Sequence, residues 1–135
     1  MSKYKRPRSS RGLGAPAADH IASARHELSQ VWVDLERMPS NCEGGIRLTA
    51  RAIEAYGRAR AHLNSVDGPE REANTQMYGE ANFVGDYLNQ RMNRLAVACV
   101  VPGAVRDLPL TSRATYAQIL RERAEKARKQ ARRAR

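Results

Sequence analysis

The sequence predicts an all-α fold: a three-helix bundle-like body with a basic N-terminal arm and a projecting basic C-terminal helix. Helix-favouring alanine, arginine, leucine and glutamate are abundant among the 135 residues, while aromatics make up only 5%. No stretch alternates apolar and polar residues over strand length, whereas apolar residues recur at three- and four-residue steps over long windows. Proline and glycine interrupt those windows at Pro39, Asp67-Gly68-Pro69 and Pro102-Gly103.

This punctuation divides a chain of single-domain size into a flexible basic arm (1–14), a helical body of three helices (15–101), an extended linker (102–111) and a basic C-terminal helix (112–135). The arm, MSKYKRPRSSRGLG, sets Pro, Gly and Ser between cations without periodicity, and its Tyr4 is an isolated aromatic. The first helix is expected from Pro16, which suits a first helical turn, to Met38, where Pro39 stops it. Ile21, Ala24, Leu28, Val31, Trp32, Leu35 and Met38 form its apolar stripe.

The second helix is expected to open on a capping box between Ser40 and Glu43. Its expected buried stripe is Ile46, Thr49, Ile53, Tyr56 and Leu63. Small Ala50, Gly57 and Ala61 are expected to let a neighbour approach. Asp67 or Gly68 caps a third helix about 30 residues long. Its stripe is Ala73, Met77, Ala81, Val84, Leu88, Met92, Leu95 and Cys99, and Gly79 and Gly85 are its weak points. The opposite face is rich in uncharged amides. Asn74, Tyr78, Asn82, Tyr87, Asn89 and Asn93 therefore make a candidate protein interface. In the linker, Val105, Leu108 and Leu110 are expected to pin the chain to the body. The last helix starts at Thr111 or Ser112 with one apolar turn, Tyr116, Ile119 and Leu120; beyond it every apolar residue is alanine. A helix without an apolar stripe has nothing to pack against its own core, so this segment is expected to dock by its first turns and project as a basic rod.

The thin core leaves room for stabilisation by a partner, including a homo-oligomer. Cys42 and Cys99, 57 residues apart and in no metal-ligand spacing, read as two free thiols in a reducing compartment. Residues 1–11 are basic with no apolar stretch behind them, so no secretory leader is expected; no apolar run is long enough to span a bilayer. The expected location is the cytoplasm, or a particle assembled there.

The net charge of +10 is concentrated at the ends. Lys3, Lys5, Arg6, Arg8 and Arg11 give the arm +5. Arg121, Arg123, Lys126, Arg128, Lys129, Arg132, Arg133 and Arg135 outweigh Glu122 and Glu125 to give +6, while residues 13–119 carry −1. These 13 cations are the candidate nucleic-acid-binding residues. Each cation that neutralises a phosphate releases condensed counterions, which drives binding without reading sequence. Arginine outnumbers lysine 20 to 4, and guanidinium forks suit phosphate oxygens. In layout, a near-neutral body with two cationic extensions resembles small structural proteins of ribosomes and virions.

No chemistry-bearing motif accompanies the charge. HExxH, GxGxxG and GxxxxGK[ST] are absent, and His20 and His26 fall on different helix faces. The expected function is thus a non-enzymatic structural component of a nucleic-acid-containing assembly, without cofactor or metal. The alternative is a helical adaptor, ring subunit or inhibitor that binds a larger protein machine through the amide-rich third helix.

Overall fold

The computed structural model describes residues 16–37, 39, 41–100, 108 and 110–134. Within them the chain is all-α and bundle-like, with no strand. The helices are α1 (Ala17–Leu35), α2 (Cys42–Asn64), α3 (Gly68–Ala73), α4 (Thr75–Ala98) and α5 (Arg113–Arg133). The arm, the linker residues 101–107 and Arg135 lie outside the described residues, as do Met38 and Ser40.

The core forms where α1 lies along α2 and α4 packs across them. The stripe expected on α1 is buried throughout its described length, from Ile21 to Leu35. On α2 the expected stripe is rotated. Ile46 is 41% exposed, Ile53 and Tyr56 are half-buried, and Ala50, Gly57 and Ala61 face solvent. Thr49 and Leu63 are buried as expected, and Ala52, Ala55 and Ala59 are buried in place of the others. Alanines give up side-chain volume and so permit close helix approach; the large residues of α2 reach around the edge of the seam.

Two glycines also allow close contact. A Cβ at Gly45 would lie 2.8 Å from Leu95 Cδ2, and one at Gly85 would lie 2.6 Å from the Tyr56 hydroxyl, so Gly85 lets the Tyr56 ring cross α4. The long third helix breaks at neither Gly79 nor Gly85. It breaks at Asn74, whose φ of −120° and ψ of 26° leave the helical region and whose Nδ2 donates to the Glu70 carbonyl at 2.7 Å. The amide side chain competes with the backbone ladder, separating α3 from α4. Ala73 is consequently exposed; farther along, Met92 is only half-buried and Cys99 is exposed, so three residues depart from the expected stripe.

The cap of α2 also differs from expectation. Asn41 is the N-cap, and its Oδ1 accepts from Gly44 N at 2.6 Å. The end of α1 moves too, from Met38 to Leu35, through a residue without a place in any apolar pattern. Arg91 is 1% exposed, and its Nη1 and Nη2 donate to the carbonyls of Asp34 (2.9 Å) and Arg37 (2.8 Å). The guanidinium thus caps the C-terminal turn of α1, where carbonyls lack intrahelical donors and the helix dipole favours a cation. Its Nε has no partner among the described residues. Burial lowers the Arg91 pKa, opposed by the Asp34 carboxylate; burial raises that of Asp34, opposed by Arg51, Arg37 and Arg91.

The cysteines are not free thiols. Cys42 and Cys99 form a disulfide with a Cα–Cα separation of 5.6 Å. Antiparallel packing of α2 and α4 brings the first turn of one beside the last turn of the other, which a spacing of 57 residues conceals. At the far end of the α1/α2 seam, His20 Nδ1 and His62 Nδ1 share a hydrogen bond at 3.0 Å.

Two stability measurements check this architecture. Replacing Arg91 by Met, which fills similar volume but cannot bond the carbonyls, is expected to lower unfolding free energy by ~3 kcal/mol in urea titration. Cys42→Ser/Cys99→Ser is expected to cost about 4 kcal/mol through the chain entropy regained by the unfolded state. Dithiothreitol should shift the urea midpoint of the native chain and leave that of the double variant unchanged.

Candidate nucleic-acid interface

The basic helix α5 is anchored at its N-terminal end. Leu108 is buried and pins the end of the linker as expected, Thr111 is buried as well, and Leu110 is 39% exposed and does not pin it. Val105 lies outside the described residues. Ser112 caps α5, its Oγ accepting from Thr115 N at 3.1 Å.

One turn later Tyr116, the single buried residue of α5, inserts between helices α1 and α4. Its ring centroid lies 4.6 Å from that of Phe83 and 6.0 Å from that of Trp32. Trp32 Nε1 donates to Glu80 Oε2, which also accepts from Arg113 Nη2 at 3.4 Å, while the Arg113 guanidinium lies 5.9 Å over the Trp32 ring. The backbone N of Arg113 reaches Glu36 Oε1 at 3.4 Å. An aromatic cluster with an ion pair on its rim therefore fixes the direction in which α5 leaves the body. Burial raises the Tyr116 pKa above the usual tyrosine value, Glu80 adding to the effect and Arg123 opposing it.

Beyond this anchor α5 leaves the body. Ile119 is half-buried, Leu120 is 37% exposed, and residues 121–134 are exposed without exception. Arg121, Arg123, Lys126, Arg128, Lys129, Arg132 and Arg133 all lie in this projecting segment. Within it Glu125 pairs with Lys129 at 3.6 Å, and Glu122 accepts from Gln118 at 3.0 Å. An exposed pair of this kind contributes little energy and holds its cation loosely. No body carboxylate pairs with the seven cations among the described residues. Helix-favouring alanine, lysine, arginine and glutamate, with Arg132 and Arg133 at the negative end of the dipole, keep the segment helical without a buried face. The other candidate cations, Lys3, Lys5, Arg6, Arg8, Arg11 and Arg135, lie outside the described residues.

The candidate protein interface on the third helix separates into two parts. Asn82, Asn89 and Asn93 are exposed along one line of α4 with Asp86, and the first two join Ile53 and Tyr56 in lining a groove against α2. Asn82 Oδ1 also accepts from Arg60 at 3.1 Å. The other three residues serve the fold. Asn74 forms the break before α4, Tyr87 packs on Phe83 at 5.0 Å, and the Tyr78 hydroxyl donates to the Leu63 carbonyl at 2.6 Å with Arg71 over its ring. Sequence reasoning also missed Trp32, Glu80 and Phe83 as the residues that aim the basic helix. The signal available was weak: Trp32 and Phe83 are the only Trp and Phe in the chain.

No group of three or more His, Cys, Asp or Glu among the described residues is placed to hold a metal ion, and no described helix is long and apolar enough to cross a membrane.

The raised Tyr116 pKa sets the sign of a pH effect on docking. Stabilisation by the neutral phenol is complete below the ordinary tyrosine value near 10 and is lost as pH rises through the higher folded-state value. Trp32 fluorescence is expected to report release of α5 at alkaline pH in the native chain, and Tyr116→Phe is expected to lack that transition. No family model, no curated protein and no solved structure matches the chain, so the basic helix is interpreted from its own geometry.

Proposed function

We propose that the protein is a non-enzymatic structural component of a nucleic-acid-containing assembly, holding phosphates without sequence preference through its basic termini. The observation that carries this reading is the full exposure of residues 121–134, with seven cations against two acids. Had those cations been neutralised by the body's own carboxylates, no external polyanion would be needed. They project away from it. Like charges along one rod repel, and phosphates relieve that repulsion while releasing counterions. The arm adds five more cations by sequence.

The Cys42–Cys99 bond favours a particle that spends part of its existence in oxidising surroundings over a permanently reducing cytosol. The body would then sit among protein neighbours, and the exposed line of Asn82, Asp86, Asn89 and Asn93 suits such a contact. That line also favours the second reading, an adaptor or inhibitor docking on a larger protein machine through α4.

Anisotropy titration of random-sequence DNA and RNA across a salt series tests the phosphate reading. If about half of the 13 terminal cations engage, log K should fall with log[salt] at a slope of roughly −5. A chain ending at Leu120 should keep the helical signal of its body and lose most of the affinity and slope. Equal binding by the two chains would sink the basic-helix mechanism.

A further inference from the structure

We propose that α5 is a groove-binding helix for double-stranded DNA, lying with one particular face toward the floor of the major groove. The proposal rests on the phosphate-binding reading and goes beyond it by naming the form of nucleic acid and the face that meets it.

The charges of the rod are segregated around its axis. With successive residues about 100° apart, the seven cations cover roughly three fifths of the circumference. Leu120, Ala124, Ala127, Ala131 and Ala134 occupy the remaining line at alternating steps of four and three. Arg123 borders this line on one edge, and Arg128 with Arg121 borders it on the other. Both acids, Glu122 and Glu125, fall on the opposite side, where Glu125 pairs with Lys129. The groups that repel phosphate are therefore turned away from the small, uncharged line, and arginines flank it on both edges. The cationic arc is wider than half the circumference, so a flat anionic surface would meet only part of it. Two parallel phosphate walls with a floor between them match flanking arginines and a recessed line of methyl groups.

Dimensions and chemistry select the duplex. An α-helix with its side chains is about 10–12 Å across, and the major groove of B-form DNA is about 12 Å wide. The A-form RNA groove is deep and too narrow to admit it. Alanine lets the backbone approach base edges, and the line bears no Arg, Asn or Gln to read them, so binding is independent of sequence. Unpaired strands are held by stacking on exposed aromatics. The sole aromatic of α5 is Tyr116, which is buried against Trp32 and Phe83.

The test uses the full chain and three ligands at equal salt: a random-sequence DNA duplex of about two helical turns, one of its single strands, and an RNA duplex of the same length. The DNA duplex is expected to bind roughly tenfold or more tightly than either alternative. Two charge-matched variants test the face. Arg123→Glu/Arg128→Glu, at the edges of the alanine line, should lose on the order of tenfold more duplex affinity than Lys129→Glu/Arg133→Glu on the far side. All four positions are exposed, so the helical circular-dichroism signal should survive in both. Equal affinity for the single strand, or equal losses in the two variants, would overturn this assignment while leaving the phosphate reading intact. Binding to none of the ligands would overturn both.

Discussion

The close approach of α1 and α2 through alanine is the constraint on which the remaining structure depends. Ala24, Ala52 and Ala59 are wholly buried, and Ala55 nearly so. Each contributes little apolar area, so the seam gains its stability from short interhelical distance and the many weak contacts that distance permits. Such a seam tolerates no larger side chain, which explains why Ile53 and Tyr56 are displaced to its edge. There Tyr56 finds room only because Gly85 lacks a Cβ.

A core of this size needs its helix ends held, and polar or covalent contacts hold them. Arg91 reaches from α4 to the last carbonyls of α1, exchanging hydration for two charge-assisted hydrogen bonds at the negative end of a helix dipole. The Cys42–Cys99 bridge fixes the start of α2 to the end of α4, and the His20–His62 contact lies at the far end of the α1/α2 seam. The amount of apolar surface limits what the body can bury, and the ends of its helices carry the compensation.

The same economy separates body from rod. Among the described residues Trp32, Phe83 and Tyr116 supply the one large aromatic cluster, and its location decides that α5 is attached by its first turns. After Tyr116 the helix offers only Ile119, Leu120 and alanines to the body, too little apolar area to offset burial of its arginines. Electrostatics points the same way. The body is near neutral, and among the described residues none of its carboxylates pairs with a cation of the rod. Exposure of the cations is thus a consequence of where the apolar residues stop.

Much of this was legible in the sequence because it depends on local period and on composition. The all-α class, the stripe of α1 and the basic projection past Leu120 needed only helical spacing and the position of the last large apolar residue. Other features depended on distance between segments. In α2, small and large residues share the helical period, and only packing against α1 and α4 chose the alanines for the interior. Arg91 reads as a surface cation until the end of α1 is brought to it. A 57-residue separation could not reveal that the two sulfurs meet, and Asn74 breaks its helix through a side-chain bond that glycine-based reasoning overlooks. The sequence alone determined which residues could be buried and where the charge accumulates, since those follow from period and composition. Tertiary structure decided which of the candidates were buried, and which partners the polar ends found, because both are set by proximity across the chain.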